Sequence, residues 1–159
     1  MDRLYGYAPC GRRLVETLPY GHWKTTTFVG GLTLRGFIAP MVIDGPMTAD
    51  VFTAYIEQVL AKETKSGDLV ILDNLASHKT AKVQATFQRH GIGYMYLPPY
   101  SPDFNPIENA FSKLKRLVRS AAERTIDGLW NAIGRLLDQY RCIECRNYFR
   151  HCGYVATKR

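Results

Sequence analysis

The sequence predicts an α/β fold, a mixed sheet with helices on both faces. Three observations carry this. Leu69-Val70-Ile71-Leu72 is apolar at consecutive positions, as expected of a strand covered on both faces in a parallel sheet. Val51, Phe52, Tyr55, Ile56, Val59 and Leu60 share one helical stripe, the spacing of a helix packed on a sheet. The elements follow the order β-β-α-β-α-β-α-α, which joins an antiparallel hairpin to parallel strands reached by helical crossovers.

Residues 1–24 are rich in Gly, Pro and Arg without periodicity and read as an irregular lead-in to a domain spanning 25–159. Thr25 to Leu34 is β-branched and apolar, with Phe28, Leu32 and Leu34 on one face and Val29 on the other. Arg35-Gly36 signals a turn, and Phe37 to Ile43 completes a hairpin. Pro40 removes a ladder donor, which suggests a sheet edge. Asp44-Gly45-Pro46 breaks the pattern, so Asp44 reads as a turn residue. Thr48 then caps a helix running to about Lys62. After Ser66-Gly67 comes the strand Leu69–Leu72, then a helix from about Thr80 to Arg89 closed by His90-Gly91. Ile92 to Leu97 is the last strand. Pro98 to Pro106 is a stiff loop with four prolines. A helix runs from Pro106 to about Ala121, with Ile107, Phe111, Leu114 and Val118 as its seam. A further helix is marked by Ile126 through Tyr140, and a helical tail begins at Cys142.

The chain has 159 residues, one domain by length. Hydrophobic content of 46% with 12% aromatics argues against a disordered chain. A formal charge of +7 favours an anionic partner such as nucleic acid or a membrane surface. No apolar run reaches the roughly 18 residues of a membrane span. Residues 1–20 lack the apolar middle of a signal peptide, so export is not expected. Cys142 and Cys145 have C-x-x-C spacing, followed by His151 and Cys152. Zinc would need all four ligands on one short segment, so packing is the preferred reading. Trp23 and Trp130 also read as packing residues.

Two acids stand out. Asp73 lies just past the carboxyl end of a buried strand, where open α/β sheets bind ligands; Asp-Asn is also ordinary turn chemistry. Glu108 sits in the first turn of the helix opened by Asn105-Pro106, where the dipole alone favours an acid. Thirty-four residues separate them, enough for one helix and one strand. The proline-rich loop before Glu108 loses little entropy on ordering and places that residue reproducibly. Carboxylates on rigid elements can hold divalent metal beside a phosphodiester. His78, five residues past Asp73, either lies near this site or is a helix-start residue bonded to backbone, the second being preferred. Lys113, Lys115, Arg116 and Arg119 cluster after Glu108 and are candidates for DNA phosphate contact, or simply a solvated face. Lys79, Lys82, Arg89, Arg12, Arg13 and Lys24 are weaker candidates.

Val70-Ile71-Leu72-Asp73-Asn74 with His78, and then Pro99-Tyr100-Ser101-Pro102-Asp103-Phe104-Asn105-Pro106-Ile107-Glu108, resemble the DDE transposase domain of bacterial insertion sequences related to mariner elements. The resemblance covers nearly the whole chain. It implies an RNase H-like mixed sheet flanked by helices and a two-metal site of Asp, Asp and Glu. It also implies Mg2+ or Mn2+ as cofactor, and cleavage of element-end DNA followed by strand transfer. Asp73 matches the second acid and Glu108 the third, as catalytic residues and metal ligands. Implied partners are element-end and target DNA and a second copy or a full-length transposase, in a bacterial cytoplasm at the nucleoid. The family's first Asp lies on an initial strand, upstream of the segment read here as Tyr5-Gly6-Tyr7-Ala8-Pro9. The expectation is therefore a domain lacking its first strand and the upstream DNA-binding part; Asp2 is not a match. Without that strand either the hairpin moves over to pair with 69–72 or an edge stays open. The isolated chain is then expected to cleave little or not at all. The competing readings are an inactive fragment that binds DNA or a full-length transposase, and an RNA-cleaving nuclease of the same fold.

Overall fold

The structure, a computed structural model, describes residues 7–15 and 25–154. Residues 7–15 are irregular and exposed, with a turn at Cys10-Gly11. The rest of the lead-in, with Asp2, Trp23 and Lys24, lies outside the described residues.

Strands β1 (Thr26–Thr33) and β2 (Gly36–Asp44) form the antiparallel hairpin. The pairing runs from Thr26 opposite Asp44 to Thr33 opposite Gly36, and its register shifts between Val29 and Gly31. The shift leaves Ala39 and Pro40 outside the ladder. Ala39, buried, takes a left-handed φ of 50° there. Pro40 has no N–H to offer, and a bulge is where a strand needs none. β3 (Leu69–Leu72) and β4 (Gly93–Tyr96) pair in parallel, Leu69 opposite Gly93 and Leu72 opposite Tyr96.

Helix α1 (Ala49–Tyr55) is capped by Thr48, whose hydroxyl accepts from the Val51 N–H. It continues through a π-helical stretch, Ile56–Leu60, into the short α2 (Ala61–Glu63). α3 (Ala81–Arg89) starts at a Thr80 cap and ends before Gly91 at φ 64°. α4 (Pro106–Ala121), α5 (Ile126–Leu137) and α6 (Cys142–His151) complete the order.

Strand alternation sends the hairpin's side chains into two cores. One core holds Ala39, Phe52, Tyr55, Ile56, Leu60, Leu72, Val83 and Phe87, with Val29 and Met41 packed against it. The other holds Ala110, Leu114, Tyr140 and Cys145, with Phe28, Leu32 and Phe37. Helices α1 and α3 thus lie on one face and α4 to α6 on the other, as the pattern of Phe28 and Val29 requires. Cys145 is fully buried and packs as a small apolar side chain. Trp130 is 38% exposed, so it packs only in part.

One expectation is corrected. Leu69–Leu72 reads in sequence as a central strand, yet Leu69 is 55% exposed and β3 pairs only with β4 among the described residues. The described residues form two two-stranded sheets, not one continuous sheet. Between them lies a cavity of about 640 Å³ lined by β1, by Leu69 to Asp73, and by the start of α4. Among the described residues the hairpin does not move over to pair with Leu69–Leu72.

Candidate active site

Asp73 leaves the sheet directly after β3, where the backbone turns away and its side chain can face a ligand. Asp73 Oδ1 accepts the Leu75 N–H at 3.2 Å, the expected Asx turn. A 3-10 turn, Ala76–His78, then folds back, and His78 Nδ1 donates to the same Oδ1 at 2.8 Å. A carboxylate can only accept, so the geometry fixes the proton on Nδ1. The His78 hydrogen bond, helped by the Leu75 N–H and opposed by burial, holds the Asp73 carboxyl below its ordinary range. Asp73 is therefore ionised at neutral pH.

His78 is itself fixed. Its ring lies 4.0 Å from that of Phe52 on α1, and its carbonyl accepts the Tyr96 O–H at 2.7 Å. Close by in sequence, Asn74 Oδ1 and Ser77 Oγ are shut from solvent with no hydrogen-bond partner among the described residues.

Glu108 lies exposed in the first turn of α4, its N–H bonded to the Asn105 carbonyl at 3.1 Å. The loop before it contains a 3-10 turn, Pro102–Phe104, and Tyr100 at a left-handed φ of 56°. Tyr154 O–H donates to the Phe104 carbonyl at 3.0 Å and ties this loop to the end of α6. Pro106 is buried at the first helical position, where a missing N–H costs nothing. Asn105, Pro106 and Ile107 line the cavity that Asp73 and His78 also line; Glu108 is not among its lining residues. Among the described residues no three His, Cys, Asp or Glu side chains converge into a metal-binding group.

The basic candidates divide by their partners. Lys113 is largely buried, bonded to Glu144 at 2.6 Å and lying 4.5 Å from the Tyr140 ring centroid. Lys82 pairs with Asp50 and Arg89 with Glu57, while Lys79 lies 5.8 Å from the Tyr96 ring centroid. Lys115, Arg116 and Arg119 are exposed on α4 and form no ion pair among the described residues.

Residues 1–129 match the family described as DDE superfamily endonuclease. The chain belongs to this family. DDE endonucleases are enzymes that use divalent metal ions. The fold is similar to the Mos1 strand transfer complex, with a TM-score of 0.73 at 15% identity over 96% of this chain and 46% of that one. It is equally similar to the Mos1 mariner paired end complex with Mn, with a TM-score of 0.73, 15% identity, and 96% and 47% coverage. The isolated catalytic domain of Mos1 mariner transposase matches with a TM-score of 0.57 at 15% identity, over 82% of this chain and 74% of that one. The chain spans about half the length of the first two. No curated protein matches it. The mixed α/β architecture is thus the RNase H-like fold of a DDE endonuclease. Asp73 Oδ2 has no hydrogen-bond partner among the described residues. Hard carboxylate oxygens are the donor class that Mg2+ and Mn2+ prefer, so the donor chemistry of Asp73 suits such an ion.

Sequence reasoning missed Phe52 and Tyr96 as supports of the site. It preferred a backbone-bonded role for His78, whose side chain instead bonds Asp73. The spacing of five was the available signal, but it becomes a contact only through the 3-10 turn.

Proposed function

We propose that this domain performs metal-dependent cleavage of DNA and strand transfer in transposition of an insertion sequence, on nucleoid DNA in a bacterial cytoplasm. Asp73 and Glu108 are the metal ligands among its described residues, and Mg2+ or Mn2+ is the ion. When bound, such ions lower the pKa of an attacking water and stabilise the leaving oxygen. The protein's part is to keep Asp73 ionised, to hold one of its oxygens on His78 and Leu75, and to bring the start of α4 to the same cavity. Lys115, Arg116 and Arg119 meet backbone phosphate, while Lys113 braces α4 against α6. The Mos1 complexes with a transposon end and with Mn support element-end DNA as substrate and a paired transposase as partner. The observation that carries the reading is Asp73, anchored through one oxygen at the end of β3, in one cavity with the three residues that precede Glu108.

The test is Mn2+ binding by electron paramagnetic resonance, alongside nicking of supercoiled DNA. Asp73→Asn and Glu108→Gln should each weaken Mn2+ binding by about tenfold or more. Any metal-dependent nicking should vanish in both. Unchanged Mn2+ affinity in both variants would overturn the assignment. A second reading, DNA binding without cleavage, is favoured by the lack of three converging acids among the described residues. Binding that weakens with salt, and never gives nicked product, would select it.

A further inference from the structure

We propose that His78 is a positioning residue that holds Asp73 in its metal-binding orientation; this rests on the reading of Asp73 as a metal ligand. Asp73 has two carboxylate oxygens, and the protein's bonds are concentrated on one. Oδ1 accepts from His78 Nδ1 at 2.8 Å and from the Leu75 N–H at 3.2 Å. Rotation of the carboxyl group would break both bonds, so Oδ2 is left as the oxygen available to an ion. An imidazole that could itself swing would fix nothing. This one cannot swing freely, because Phe52 lies against its ring at 4.0 Å and its side chain is only 14% exposed. Its backbone is held independently by the Tyr96 O–H on β4, the strand paired with β3. Helix α1, strand β4 and the 3-10 turn thus converge on one residue, and its ring meets the carboxylate. Outer partners that orient a metal ligand in this way change affinity by about 10–100-fold when removed.

The opposing possibility is that His78 merely pins the turn. Isosteres separate the two. The side-chain amide nitrogen of Asn sits where Nδ1 sits and can still donate to Asp73; that of Gln corresponds to Nε2 and cannot. The experiment measures Mn2+ affinity by electron paramagnetic resonance on the full chain, with thermal denaturation in parallel. His78→Ala and His78→Gln should weaken Mn2+ binding by about tenfold. His78→Asn should restore most of it, although it loses the Phe52 contact. Wild-type Mn2+ affinity in both His78→Ala and His78→Gln overturns the proposal, as does equal loss in the Asn and Gln variants. Should the alanine variant unfold, the Asn and Gln pair decides alone. Asp73→Asn separates the two levels of inference. If it leaves Mn2+ binding unchanged, the metal-ligand reading fails, and this proposal with it. If it abolishes binding while the His78 variants bind normally, only the positioning role fails.

Discussion

Lys113 and Glu144 show how much a single residue's role depends on its partner. In the sequence, Lys113 is one of four cations on the helix after Glu108. In the structure it lies over Tyr140 and bonds to Glu144, which also accepts the Tyr148 O–H at 2.6 Å. Burial alone would raise the Glu144 carboxyl; the hydrogen bonds from Lys113 and Tyr148 outweigh it and leave the group below its ordinary 4.5. The sign follows. A carboxylate whose folded pKa is depressed contributes stability at pH above its unfolded value and loses it as pH falls through the folded one. Glu144→Gln should therefore destabilise the protein by about 1–2 kcal/mol at pH 7. The gap from wild type should narrow as pH falls from 4.5 through the lowered folded value of Glu144. Urea denaturation at pH 7 and pH 3 checks this; a gap as large at pH 3 as at pH 7 would assign the effect to packing. Asp73 carries the same sign, but its side chain is half exposed and solvent screens the contribution. Charge and position of these residues are legible in sequence; their pairing across thirty-one positions is not.

At the scale of elements the sequence is most informative. Thr48 and Thr80 cap their helices as composition and position require, and Pro106 opens α4. The end of α4 at Ala121 was legible too, but the conformation that closes it was not. Ala122 closes it in a left-handed conformation, φ 49°, where glycine is the usual occupant. The conformation strains an L-residue by roughly 1–2 kcal/mol, while glycine adds unfolded-chain entropy that offsets part of the gain. Ala122→Gly should stabilise the protein by about 0.5–1 kcal/mol, raising Tm by about 1–4 °C. Thermal denaturation tests it, and a lower Tm would show that the backbone relaxes without help. The bulge at Ala39 is the reverse case. Pro40 suggested a sheet edge in sequence, but the register shift opposite it, between Val29 and Gly31, is announced by no local pattern. The π-helical stretch Ile56–Leu60 likewise interrupts a helix that periodicity reads as continuous.

For the whole molecule, the separation of the two sheets governs what is exposed. Leu72 accepts from the Leu97 N–H, so its polar backbone faces β4. By strand alternation Val70 also faces β4, and the N–H and C=O of Ile71 point to the cavity side. The Ile71 amide should therefore exchange with solvent much faster than those of Val70 and Leu72. Amide exchange followed by NMR measures this; equal protection at all three would show the β3 edge to be covered. The sequence by itself determined the element order, the two-faced hairpin and the caps, and singled out Asp73 and Glu108 as candidates, because periodicity, turn chemistry and motif spacing are local properties. Only the tertiary structure decided that the hairpin and the parallel pair stay apart, that Glu144 takes the charge of Lys113, and that Phe52, Tyr96 and His78 brace Asp73. Those are contacts between distant segments, and their energies depend on distance and burial, which no local pattern encodes.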